Sequence, residues 1–348
     1  MALRQIKERR IANPPMVESG RRALVAAMFT HPPSTEELGG REDRFAAYFT
    51  SWYEDQCGDL TGSVSNMTIG DMLSIIALVR GDLETRETIR TKALRNRQQQ
   101  FKESEIEMAI TLAARLWSVS YIDGRHPPFS TGETIDWTTG SLRATLAAHF
   151  QPSSGEKGNL PSFFTAEKLD RIAGIQILWT GNLLDHLKMT NDDKAVYLFH
   201  QVSFLALHGD SKSEGSLPPD LVKETISTLA LLLPGSSKAP NKWYQKKRKG
   251  HEDELDPRAG SNGHLNASQR RLEEFKYWGE RLGILKQAFD DSEPPSVWHW
   301  WRDDRKRVQW YTFWIAVLVL ILTVLFGLLQ SITSIIQTVM TVRSSHGQ

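Results

Sequence analysis

The sequence predicts an all-α fold: a helical cytosolic domain followed by a single transmembrane helix near the C-terminus. Three observations carry this. Apolar residues recur at three- and four-residue spacing through most of the chain, and sustained strand-type alternation is scarce. The third is the stretch Trp310 to Leu329, which is almost purely aromatic and aliphatic.

Taken in order, residues 1–30 read as a basic, flexible N-terminus. Arg4, Lys7, Arg9, Arg10, Arg21 and Arg22 stand there without the apolar run of a secretory signal. Residues 31–235 read as the helical domain. Phe45, Tyr48, Phe49 and Trp52 form one stripe; Thr68 with Asp71 suits a helix start before Met72, Ile75, Ile76 and Val79. From Glu87 to Val119 a polar half precedes Ile106, Ile110, Ala113, Ala114 and Trp117. Gly- and Pro-bearing segments at 121–140 and 151–161 read as loops around a short helix, Ser141 to Phe150. Three helices are then expected: Ala166 to Lys188, Asp192 to His208, and Pro219 to Leu233, the last stopped by Pro234-Gly235.

Residues 236–265 read as a charged linker, with Lys246-Lys247-Arg248-Lys249 followed by Glu252, Asp253, Glu254 and Asp256. Such a run has a nuclear-import look, but a solvated linker that brushes anionic lipid is the preferred reading. Residues 266–307 read as an amphipathic helix and a basic juxtamembrane segment. Asn266 with Gln269 is expected to cap that helix, whose apolar stripe is Leu272, Phe275, Trp278, Leu282, Leu285 and Phe289.

Residues 308–330 form the expected span. About 20 apolar residues rising 1.5 Å each match the roughly 30 Å hydrocarbon core, and backbone groups in lipid must bond within the helix. Trp310, Tyr311, Phe313 and Trp314 stand where the chain enters, the depth that amphipathic aromatic side chains prefer. Phe326 and Gly327 lie near the far side, and Gly327 is a place for a bend. Arg302, Arg305, Lys306 and Arg307 precede the span and only Arg343 follows it, which places the N-terminal bulk in the cytosol. Residues 331–348 read as a short amphipathic tail, and tail-anchor-like insertion is expected. The strength of the span favours the endoplasmic reticulum or connected membranes.

Composition excludes little else. Lys and Arg number 42 against 41 Asp and Glu, so bulk charge names no partner, and a nucleic-acid partner is not expected. Cys57 is the sole cysteine, so no disulfide and no cysteine-based zinc site forms within one chain. Dinucleotide, phosphate-loop, paired-His zinc and nucleophile-elbow signatures are missing. Asp185, His186 and His200 remain as weak catalytic candidates, near the turn expected between two helices. Hydrogen-bonded core histidines are the preferred reading, and no cofactor or metal is expected.

Several groups of residues together resemble an uncharacterised family of filamentous-fungal membrane proteins, over roughly Ala166 to Thr341. They are Trp179-Thr180, Asn182-Leu183, Asp185-His186-Leu187, Phe199-His200, Glu224-Thr225 and Leu231 to Pro234. Later come Trp278, Arg281-Leu282, Trp300-Trp301, Val308 to Trp314, Leu322-Thr323 and Phe326-Gly327-Leu328. Asp303-Asp304 departs from the single Asp more usual before the paired arginines. The resemblance implies a helix-rich, membrane-anchored fungal protein and transfers no catalytic residues.

The leading functional reading is a C-terminally anchored module that binds the lipid bilayer and a protein partner, or a second copy of itself. One rival is a tethered enzyme around Asp185, His186 and His200. Another is an oligomeric ion transporter, which the single span and the missing Gly-Met-Asn loop disfavour.

Overall fold

The computed structural model describes residues 16, 18–32, 44–58, 67–82, 84–96, 101–123, 133–154, 157–210, 214–292 and 307–345. The chain divides after Ser292 into two compact units.

The first unit is mostly helical. It begins with α1 (Glu18–Met28), whose Leu24, Val25 and Met28 are buried, so the expected flexible terminus is in part a packed helix. A π-helical turn, Tyr48–Tyr53, follows. Its aromatic stripe is pinned by two hydrogen bonds: the Tyr48 hydroxyl donates to Leu116 O at 2.8 Å and Trp52 Nε1 to Arg115 O at 3.2 Å. α2 (Ile69–Val79) opens on the Thr68–Asp71 capping box, in which each side chain accepts from the other's backbone N–H. The expected helix from Glu87 is two, α3 (Arg86–Asn96) and α4 (Glu103–Ser118). α4 is buried along most of its second half and ends at Val119, which takes a left-handed conformation (φ 47°). α5 (Leu142–His149) is capped by Ser141, whose side chain accepts from Ala144 N.

The largest departure from an all-α fold lies between Ala166 and His208. α6 (Ala166–Arg171) is only six residues long and is followed by Gly174 at φ +69°, a conformation that glycine adopts without steric cost. Three strands then replace the expected helices: β1 (Gln176–Thr180), β2 (Met189–Thr190) and β3 (Ala195–Phe199). Their order is β1-β3-β2, with β1 parallel to β3 (Gln176 opposite Ala195, Thr180 opposite Phe199) and β2 antiparallel to it. Asn191, Asp192 and Asp193 all have positive φ and turn the β2–β3 hairpin where a helix start was expected. Short polar side chains of this kind tolerate the left-handed region best. Only Val202–Gly209 of the second expected helix is helical, as α7.

α8 (Pro219–Leu232) begins on a proline, as expected, and α7 packs against it. The segment expected as a charged linker instead folds into α9 (Lys238–Arg248), which buries Pro240, Trp243 and Tyr244. Trp243 Nε1 donates to Asp170 at 2.9 Å and the Tyr244 hydroxyl to Asp256 O at 2.6 Å. Two aromatic side chains outweigh a polar composition when both find a polar partner inside. Asp256 is itself buried and accepts from the Ser203 backbone and hydroxyl, at 2.6 and 2.9 Å, at the first turn of α7.

Asn266 and Gln269 do exchange backbone-to-side-chain hydrogen bonds, both at 3.0 Å, but the helix does not start there. A 3-10 turn at Leu272–Glu274 intervenes, and α10 spans Gly279–Asp291, burying Leu282, Leu285 and Phe289.

The second unit contains α11 (Arg307–Ser345), which runs as one helix through Gly327 without interruption. Residues 293–306, with the basic juxtamembrane cluster, lie outside the described residues.

Candidate functional site: an apolar helix and a buried histidine network

The feature of α11 that matters is what it leaves uncovered. Its stretch Tyr311–Met340 has 30 residues and none of the apolar window is buried inside the protein. A core helix of a soluble domain hides such a surface; this one exposes Leu318, Leu320, Phe326 and Leu328 to more than half. Its length and composition suffice to cross a bilayer, consistent with a single-pass membrane anchor.

Its hydroxyl groups do not contradict this. Thr323, Ser331, Thr333 and Thr338 each donate to the carbonyl four residues earlier, at 2.8 to 2.9 Å. A hydroxyl bonded to its own helix needs no water, which lowers its cost in hydrocarbon. At the entering end the rings of Phe313 and Trp314 meet edge to face at 5.7 Å, and Tyr311 is exposed. The Trp310 side chain lies outside the described residues; its backbone is helical. Phe326 is exposed, and Gly327 borders open space.

The catalytic candidates sit inside the first unit. Asn182 caps the 3-10 turn Leu183–Asp185, accepting from Leu184 N, and its Nδ2 donates to Asp185 at 2.9 Å. His186 is fully buried. Its Nδ1 accepts from the Phe199 backbone at 3.3 Å and its Nε2 lies 2.7 Å from Thr228 Oγ1. Thr228 in turn donates to Thr225 O at 2.7 Å, and Trp278 Nε1 donates to Thr225 Oγ1 at 2.8 Å. The His186 ring meets Trp278 edge to face at 4.9 Å. Burial, with the nearby Arg281 charge, holds His186 well below the usual histidine range.

His200 has different neighbours. It stands edge to face with Trp179 at 6.5 Å, and burial pulls it down to about 4. The two histidines therefore belong to separate packing environments, and Asp185 is engaged by Asn182. Two clefts of about 520 Å³ open on this unit, one along Glu224 and Lys276, the other along Arg143 and His208. Asp185, His186 and His200 line neither. Among the described residues no group of three or more His, Cys, Asp or Glu is arranged to hold a metal.

Residue-level reading of the sequence missed three polar side chains that organise this region. Glu224 on α8 accepts from three successive backbone N–H groups, Lys276, Tyr277 and Trp278, at 2.7 to 2.8 Å. It thereby holds the segment that leads into α10, up to its N-cap residue Trp278, and burial raises its carboxyl even though those three bonds favour the charged form. Arg281 on α10 donates to Leu184 O and His186 O, both at 2.7 Å, and lies over the Trp278 ring. His208 is buried and accepts from Ser216 N at 3.1 Å. Glu224, Trp278 and Arg281 do fall among the residues that carry the family resemblance, the one signal that points to them.

Comparison with protein families, curated proteins and solved structures returned no match.

Proposed function

We propose that this chain is a membrane-anchored protein whose helical unit works at the cytosolic face as a protein- or lipid-interaction module. The observation that carries the reading is the wholly uncovered apolar stretch Tyr311–Met340. Twenty or more such residues are far more stable in hydrocarbon than in water, and the polar, charge-balanced first unit cannot follow them across. Arg302, Arg305, Lys306 and Arg307 on one side, against Arg343 on the other, support a cytosolic first unit. The resemblance to filamentous-fungal membrane proteins, to which Val308 to Trp314 contribute, agrees with this reading. An interaction role is favoured over catalysis because Asp185, His186 and His200 are enclosed and line neither cleft.

The test is expression of the full chain with sealed microsomes. Anchoring predicts that it stays in the pellet through alkaline carbonate, and the cytosolic orientation predicts that added protease digests the first unit. Release by carbonate would refute the anchor; protection of the first unit would reverse the orientation.

A further inference from the structure

The basic run that the sequence presents as a linker is sorted by α9 into two sets. Lys247, though exposed, is partnered: it pairs with Asp170 at 3.3 Å and lies over the Trp243 ring at 5.4 Å. Arg248 donates to Leu255 O at 3.2 Å. Lys238, Lys242 and Lys246 recur every four residues, and Lys249 follows at the helix end; all four are exposed. At 100° per residue the first three fall within about 80° of one another, on the side opposite Pro240, Trp243 and Tyr244. None of the four has an ion-pair partner among the described residues, unlike Lys247 on the same helix. An unneutralised row of four like charges is a cost to the fold by itself, since i,i+4 like pairs repel.

We infer that the lysine stripe of α9 is a docking surface for anionic lipid headgroups. The proposal rests on the anchoring reading above, because the anchor keeps the first unit near a bilayer and so makes weak contacts count. The 14 residues between Ser292 and Arg307 reach at most about 50 Å when fully extended, which bounds how far that unit strays. Charge complementarity selects the ligand class. Lysine ammonium groups are compact, strongly hydrated point charges, suited to a diffuse anionic surface more than to a planar, bidentate partner. Nucleic acid is the weaker fit, because Trp243 and Tyr244 face the core and leave the stripe with no ring on which a base could stack.

The experiment is amine footprinting of the full chain, reconstituted in nanodiscs of phosphatidylcholine alone or with phosphatidylserine. Acylation rates at Lys238, Lys242, Lys246 and Lys249 are read by mass spectrometry against Lys92 on α3. Docking predicts that anionic discs slow the four by roughly threefold or more relative to Lys92, and that about 1 M salt removes the effect. Equal relative rates in both discs, in protein shown to be incorporated, would overturn the inference and leave the anchor standing. Failure to incorporate would overturn the anchor and the inference with it. Slowing by added RNA but not by anionic lipid would also overturn it, assigning the stripe to nucleic acid.

Discussion

His186 donates through Nε2 to Thr228 Oγ1 across 2.7 Å, and the rest of the network fixes that direction. Phe199 N–H already points at Nδ1, so the ring's proton sits on Nε2, while the threonine spends its own proton on Thr225 O. Every position of the neutral imidazole is thus in use, and β3, α8 and the turn after Asp185 are tied together by one side chain. A ring so engaged has no site left for a substrate or a metal.

His186→Gln is therefore expected to destabilise the fold by about 1 to 3 kcal/mol, because the amide cannot serve both Phe199 N and Thr228 at the imidazole's reach. Urea denaturation in mild detergent measures this. Bound metal in the double variant His186→Gln/His200→Gln should equal that of the parent chain. Loss of stoichiometric metal with unchanged helicity would revive the enzymatic reading.

Acid should weaken the fold between about pH 6.5 and 4. Burial lowers His200 to about 4 and His208 to about 3, with Arg143 adding to the latter; burial and then Arg281 lower His186. In the unfolded chain each takes a proton near pH 6.5, so the stability present above that value is lost as pH falls. His200 alone is worth on the order of 3 kcal/mol over its full window. Asp256 opposes this: burial raises it to about 6, so its contribution grows as pH falls from about 6 and is complete below its ordinary 3.8. Glu224, also raised by burial, opposes the loss in the same sense, while His149, lowered by burial, adds to the histidines; the buried bases outweigh the two acids. His200→Gln should flatten the decline between pH 7 and pH 5, and Asp256→Asn should steepen it. Stability equal at both pH values would contradict the assignment of neutral, buried imidazoles.

What the sequence revealed and what it hid divide along the range of the interactions involved. The starts of α2 and α8 were legible because Thr68 with Asp71, and Pro219, act within one turn. The sheet was not. Ile177, Leu178 and Trp179 face Val196, Tyr197 and Leu198, all apolar, so no two-residue alternation marks either strand. Their pairing also spans a 14-residue connection that no local pattern announces. The same holds at the entry to α10, where the residue that accepts from the N–H groups of Lys276, Tyr277 and Trp278 is Glu224, more than fifty positions upstream. In α9 the charge run dominated the composition, and Trp243 and Tyr244 settled the packing. His186 and His200 read as core histidines and are buried, Asp185 was not placed inside and is buried too, and none of the three falls on the expected helices. His186 is in a turn after a 3-10 segment, and His200 directly follows β3.

Replacing Glu224 tests how far this remote carboxylate holds the entry to α10 in place. Glu224→Ala leaves the N–H groups of Lys276, Tyr277 and Trp278 without their acceptor, at an expected cost of about 2 to 4 kcal/mol. Glu224→Gln keeps one acceptor oxygen and turns an amide NH₂ toward the remaining donors, so it should fall between Ala and the parent. Hydrogen exchange at 276–282 gives the local readout. Protection there unchanged in Glu224→Ala would mean that α10 is held by Leu282, Leu285 and Phe289 alone.

The anchor makes the sharpest prediction, because lipid penalises charge by depth. Leu320 and Val324 stand near the middle of the apolar stretch, both exposed to more than half. An arginine at the centre of a span costs about 2.5 to 3.5 kcal/mol, so Leu320→Arg/Val324→Arg should move most of the protein into the carbonate-soluble fraction. Ser331→Arg adds the same charge near the end, where a long side chain can reach the headgroups, and should stay in the pellet. Leu320→Val/Val324→Leu changes neither length nor polarity and should behave as the parent. If the two mid-helix arginines left the pellet fraction intact, α11 would be covering itself against protein and not lipid, through an interface that the uncovered surface does not show within one chain.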